Sequence, residues 1–133
     1  MLYKEECFKI IGMCMEVHKI LGPGLLEIVY KDALEIELKQ NEIPFWREKQ
    51  FQINYKGKIL PRKYIADFVA FNDIILEIKA DTNPLDNHLR QTLNYLALAK
   101  SPLGLIINFG EGSLQYKRVL KSGNIDDRHF NNS

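Results

Sequence analysis

Cysteine is scarce in this chain: Cys7 and Cys14 are the only two among 133 residues. They fall two turns apart on one helical face, too distant along the axis to bridge, so neither a disulfide framework nor a zinc ligand set is expected. Long apolar runs are missing as well. Nothing approaches the roughly 20 residues of a membrane span, and the opening MLYKEECFKI has acids where a signal peptide would have its apolar region. No membrane partner and a cytoplasmic location follow. Internal repeats, low-complexity tracts and linkers are also absent. What remains is 46% hydrophobic and 26% charged, an ordinary mix for one soluble globular domain.

The net charge of +1 conceals a gradient. Residues 1 to 42 hold 5 Lys/Arg against 8 Asp/Glu, residues 43 to 66 hold 6 against 1, and residues 67 to 133 hold 7 against 8. The middle block, with Arg47, Lys49, Lys56, Lys58, Arg62 and Lys63, supplies the cations a phosphodiester ligand would need. On charge alone, the plainer reading is the solvated side of a hairpin.

Residues 4 to 21 read as a helix with a stripe of Cys7, Ile11, Cys14, Val17 and Leu21, stopped by Gly22-Pro23-Gly24. His18, just before that stop, reads as a C-terminal cap or cation. A second helix is expected from Leu25 to Gln40, turning Leu26, Val29, Tyr30, Ala33 and Ile36 or Leu34 inward, with Pro44 forbidding continuation. From Phe45 the period shortens and three antiparallel strands follow, with a turn at Lys56-Gly57 and Pro61 at a strand start or irregularity. Asp81 to Pro84 should cap a third helix, Leu85 to Lys100, with Leu85, Leu89, Leu93 and Leu96 facing the core. His88, Gln91 and Tyr95 make a second, polar stripe beside it. LGLIINF and SLQYKRVL complete the strands. Residues 1 to 120 form the expected domain and 121 to 133 a flexible tail.

The centre of this plan is Tyr64 to Ala80, YIADFVAFNDIILEIKA. Its two apolar runs lack alternation, so they should be adjacent strands covered on both faces. Asp67, Glu77 and Lys79 interrupt them. Buried carboxylates need a cation or a proton, and two acids with one lysine point to a divalent metal site. Glu77 and Lys79, two apart, share a face. A strict two-residue loop at Asn72-Asp73 would turn Asp67 to the wrong face. A three- or five-residue loop, or a bulge, is expected to set Asp67 opposite Lys79.

Asp67 followed by Glu77-Ile78-Lys79 on consecutive strands resembles the PD-(D/E)XK nuclease superfamily. Gly24 to Tyr30 is a literal GxxExxY, the motif naming a family within it. Gln91 and Tyr95 are similar to the QxxxY motif of its helicase-associated branch. The resemblance covers about residues 5 to 120. It implies an α/β fold with a restriction-endonuclease-like αβββαβ core, a mixed sheet flanked by helices, an extra N-terminal helix and a C-terminal strand. It implies that Asp67 and Glu77 ligate Mg²⁺ or Mn²⁺, with the Ile78 carbonyl and Glu27 as further ligands. Lys79 would orient the attacking water, and Gln91 and Tyr95 would hold the scissile strand or Lys79. Ala66 stands where the superfamily often has proline.

The activity implied is cleavage of DNA in repair, recombination or defence, with Lys58, Arg62, Lys63 and His88 as DNA contacts. A non-catalytic nucleic-acid-binding subunit is the alternative, and a purely structural ion cluster a third account. Taken alone, Glu27 would be a first-turn acid complementing a helix dipole, Gln91 and Tyr95 a polar helix edge, and Trp46 sheet cover. Nucleases of this size often dimerise to cut two strands, but no heptad or apolar patch in the sequence establishes a homodimer.

Overall fold

The computed structural model describes residues 2–122 together with the backbone of Ile125 and Asp126. Apart from Lys121, Ser122 and those two, the expected tail lies outside the described residues. The elements are α1 (Lys4–Leu21), α2 (Glu27–Gln40), β1 (Phe45–Tyr55), β2 (Lys58–Ala70), β3 (Ile74–Lys79), a 3₁₀ turn (Leu85–His88), α3 (Leu89–Ala99), β4 (Leu103–Asn108), β5 (Gln115–Leu120) and β6 (Ile125–Asp126). They build one sheet in the order β1-β2-β3-β4-β5-β6. Neighbours are antiparallel except β3 and β4, which run parallel because α3 carries the chain back between them.

Both faces of the sheet are covered. α1 and α2 contribute Cys7, Ile10, Cys14, Tyr30, Leu34 and Leu38 to a core with Phe68, Leu76, Ile78 and Leu105. α3 covers the opposite face, where Leu96 packs with Ala66, Val69, Ile75 and Ile106. This double cover explains why β3 and β4 read as continuous apolar runs: every residue of β4 is buried, and on β3 all but Lys79. Cys7 and Cys14 are free and buried in the first core.

Several expectations shift. α2 begins at Glu27, because Leu26 is extended as its N-cap. Tyr30 and Leu34 face inward as expected, joined by Leu38, and Ala33 packs against the same core, whereas Leu26, Val29 and Ile36 are exposed. The third helix opens as a 3₁₀ turn after Pro84, and the Asp81 carboxylate instead accepts the Asn83 N–H at 3.0 Å. His18 does not cap α1. Its Nε2 meets the Glu111 carbonyl oxygen at 2.9 Å, pinning the β4–β5 loop to the helix.

The β1–β2 hairpin turns at Lys56 (φ 52) and Gly57 (φ 79), the paired positive φ of a type I′ turn. Pro61 falls in the stretch between Ile59 and Lys63 where the register shifts, a place that asks no ladder bond of it.

Candidate active site

The site forms where the β2–β3 ladder gives out. Phe71, Asn72 and Asp73 make a three-residue loop, with φ 54 at Phe71 and 67 at Asn72, after which Ala70, Val69 and Phe68 pair with Ile74, Ile75 and Leu76. An odd loop was the expectation, but this register sets Asp67 opposite Glu77 rather than Lys79. The pairing stops there. The Ile78 N–H, which a further rung would use, donates to Asp67 Oδ2 at 2.7 Å. The Asp67 carboxylate therefore lies in the gap between the strands, in the sheet's hydrogen-bonding plane. N–H and C=O of one strand residue leave on the same edge, so the Ile78 carbonyl faces that gap too.

A kink across β1 and β2 makes room. Glu48 has φ 55, and Glu48 and Asp67 drop out of a register that keeps step on either side of them, from Phe45 opposite Ala70 to Gln52 opposite Lys63. Phe68 and Ala70 belong to the core under α1 and α2, whereas Tyr64 and Ala66 belong to the core under α3. Strict alternation would keep all four on one face, so β2 changes face at Asp67. That brings the Tyr64 hydroxyl to Glu77 Oε1, to which it donates.

The electrostatics follow from this placement. Glu77 is 5% exposed, and its carboxyl is pushed up to about 8, first by burial, then by the Asp67 carboxylate; the Tyr64 hydrogen bond and the Lys79 ammonium act the other way. Burial and Glu77 likewise raise the Tyr64 hydroxyl. Glu27, at the exposed start of α2, has a carboxyl raised by partial burial and by Asp67, with Lys79 and Lys31 opposing. Two carboxylates thus meet at one point with a third on its rim. Among the described residues no three His, Cys, Asp or Glu are gathered tightly enough to form a ligand cluster.

The GxxExxY segment sets Glu27 near enough to this point to feel Asp67 and Lys79. Gly24 has φ 95, open only to glycine without strain. Tyr30, fully buried, donates to the Gly22 carbonyl at 2.6 Å, accepts the Leu25 N–H at 3.1 Å and stacks on Phe109 at 4.7 Å. The buried ring ties the turn ahead of Glu27 to the sheet.

Two residues had gone unnoticed in the sequence. Lys31, one turn beyond Glu27, places Nζ 3.2 Å from Asp67 Oδ1 and 3.7 Å from Glu48. Its signal was the i, i+4 spacing from Glu27. Tyr64 carried no charge to mark it. Other candidates stand farther out. Tyr95 reaches the site through Tyr64, its ring stacked on that of Tyr64 at 3.8 Å and 14°. Gln91 is exposed one turn earlier on α3. His88 has Nε2 buried, without a hydrogen bond, 3.6 Å from Asp81 Oδ2. Lys58, Arg62 and Lys63 are exposed on the hairpin. Arg47, counted with the basic block, is taken up by Asp32 at 2.8 Å and Glu35 at 3.6 Å.

The model of the PD-(D/E)XK nuclease superfamily matches residues 4–119. The chain belongs to this superfamily. Within the PD-(D/E)XK architecture, α1 is the extra N-terminal helix and β5 the added strand. The chain is also similar to the crystal structure of SSO0001, at 24% identity and a TM-score of 0.57, covering 90% of this chain and 60% of that one. At that identity the likeness is one of fold, and the chain spans about 60% of that structure's length. No curated protein matches it. Among the described residues, no helix is long and apolar enough to cross a membrane.

Proposed function

We propose that this PD-(D/E)XK protein is a metal-dependent nuclease of the GxxExxY branch, hydrolysing DNA phosphodiester bonds in repair, recombination or defence. The observation that carries the reading is the Asp67–Glu77 pair. Two acids converge in the broken ladder, and one is so buried that it keeps its proton to about pH 8 unless a cation compensates it. This all-oxygen donor set fits a hard divalent ion, Mg²⁺ or Mn²⁺, which Asp67, Glu77 and the Ile78 carbonyl would hold, with Glu27 bound directly or through water. Such an ion would acidify a bound water and offset charge on the phosphate.

The chain's own groups do the rest. Lys79, near both Glu77 and Glu27, orients the attacking water and balances charge building on the phosphate oxygens. Tyr64 holds Glu77 in one orientation. Gln91 and Tyr95 border the path of the scissile strand, and Lys58, Arg62, Lys63 and His88 supply contacts to DNA. Cutting both strands of a duplex takes two such sites, which a homodimer provides. A cytoplasmic location suits the free thiols of Cys7 and Cys14.

Purified protein supplied with Mg²⁺ or Mn²⁺ cuts single- or double-stranded DNA, and Glu77→Ala or Lys79→Ala abolishes cleavage. Activity surviving both substitutions sinks the assignment. The second reading, a nucleic-acid-binding subunit without turnover, is favoured by one observation: Asp67 already has Lys31 and the Ile78 N–H as partners. A subunit of that kind binds DNA equally well in EDTA and shows no Mg²⁺ site by titration calorimetry.

A further inference from the structure

We infer that the outer β1–β2 hairpin is a cationic arm that enters a groove of duplex DNA and lays the duplex across the Asp67–Glu77 site. This deepens the nuclease reading, on which it rests only for the choice of DNA as ligand.

The arm is unusual in what it leaves uncovered. Every residue from Asn54 to Lys63 is exposed, and β2 pairs with β3 only at Phe68 to Ala70, so the outer hairpin is a two-stranded ribbon beyond the sheet. A ribbon of that kind is marginal in water by itself. Its base is the site, since Tyr64 touches Glu77. Its tip at Gly57 lies seven residues farther along β2, roughly 20 Å at strand rise.

Its charge is of one sign. From Lys49 to Ala66 the chain holds Lys49, Lys56, Lys58, Arg62 and Lys63 and no Asp or Glu. No acid within the arm can quench these cations. Lys49 and Gln52 are three apart in the regular part of β1, and Lys63 sits opposite Gln52, so Lys49 and Lys63 project to opposite faces. Cations on both faces suit a ribbon with a phosphate wall on either side, and the major groove admits a two-stranded ribbon. Exposed Ile59 and Leu60 near the tip suit base edges and thymine methyls. A single strand would call for bare stacking platforms. Here the exposed rings of Trp46 and Tyr55 each carry a lysine ammonium, Lys49 at 3.8 Å and Lys56 at 5.5 Å.

The test measures binding without cleavage, by fluorescence anisotropy in EDTA across a salt series. The probe is a duplex of about two helical turns, with a single strand of equal length beside it. The full chain is compared with its Lys56→Gln, Lys58→Gln, Arg62→Gln, Lys63→Gln variant. Because all four side chains are exposed, the variant keeps the parent's circular dichroism and melting temperature. The slope of log K against log salt is expected to shallow by about 3 to 4, at about 0.9 per lost phosphate contact. A variant carrying Lys58→Arg and Lys63→Arg keeps the parent slope.

An unchanged slope in the Gln variant, equal affinity for the single strand, or no duplex binding at all overturns the inference. The two readings fail separately. Cleavage with an unchanged slope removes the arm and leaves the nuclease, whereas an arm-dependent slope without cleavage under any divalent ion removes the nuclease and leaves the arm.

Discussion

The Tyr64 hydroxyl donates to Glu77 while the Tyr64 ring is stacked on those of Phe51, at 5.6 Å, and Tyr95, at 3.8 Å. A phenol held by two stacked rings has little freedom, so the carboxylate it touches is held in turn. Tyr95, on α3, therefore acts on the site through a second ring.

Tyr64→Phe keeps the stack and removes the donor. Glu77 then loses a group that favours its charged form, and its carboxyl rises further. Loss of a partner that orients a metal ligand commonly weakens binding by about 10- to 100-fold. Calorimetric titration with Mn²⁺ at neutral pH is expected to show a loss of that size in protein that still folds, its melting temperature lowered by the buried acceptor left without its donor. Parent affinity in the variant would mean that the hydroxyl does not support a ligand.

Glu77 gives the metal-free protein a distinctive pH profile. Its carboxyl is raised from 4.5 to about 8, so the folded state binds a proton that the unfolded state has released. The stabilisation is fully present below about pH 4.5 and fades as pH rises through about 8. Its size is on the order of a few kcal/mol. Thermal melts in EDTA should fall between pH 5 and 8 more steeply for the parent than for Glu77→Gln. Equal slopes would show that the acid is already compensated.

The helices, the order of elements along the chain and the double cover of the central strands were legible because periodicity and Gly/Pro punctuation agree along most of the chain. The site was half legible. Asp67, Glu77 and Lys79 stand out as charges in apolar strands, but their mutual placement depends on the Phe71–Asp73 loop and on the face change at Asp67. Neither has a sequence signature: positive φ at Phe71 and Glu48 goes against residue preference and is imposed by packing. Lys31 and Tyr64 stayed hidden because a lysine on a helix and a tyrosine in a strand are ordinary until the fold brings them to the carboxylates.

Lys31 separates a structural ion pair from a catalytic one. Its ammonium and Asp67 are 12% and 16% exposed, so Lys31→Met leaves a largely buried carboxylate without the cation that pairs with it. A loss of about 2 kcal/mol is expected in EDTA, less than for a fully buried pair. Mn²⁺ should restore more stability to the variant than to the parent, because the local field has become more negative. If Mn²⁺ restores nothing, the pair is purely structural.

Lys79 is held by the end of β4. Its carbonyl accepts the Phe109 N–H at 2.9 Å. Just beyond it, Asn108 clamps Asp81 by donating from Nδ2 to the Asp81 carbonyl at 2.8 Å and accepting the Asp81 N–H at 3.1 Å. Asn108 is 1% exposed, and the same oxygen takes the Gly110 N–H at 3.0 Å. Asn108→Ala leaves three backbone groups without these partners, and a cost of about 2 to 4 kcal/mol is expected. The ladder through Ile78 is untouched, so Asp67 and Glu77 stay in place and Mn²⁺ affinity should hold within a few-fold. On the proposed mechanism, in which Lys79 orients the attacking water, DNA cleavage should drop at least about tenfold, a shift that takes only some 1.4 kcal/mol in the transition state. Cleavage at the parent rate in the folded variant would show that Lys79 is positioned by the sheet alone.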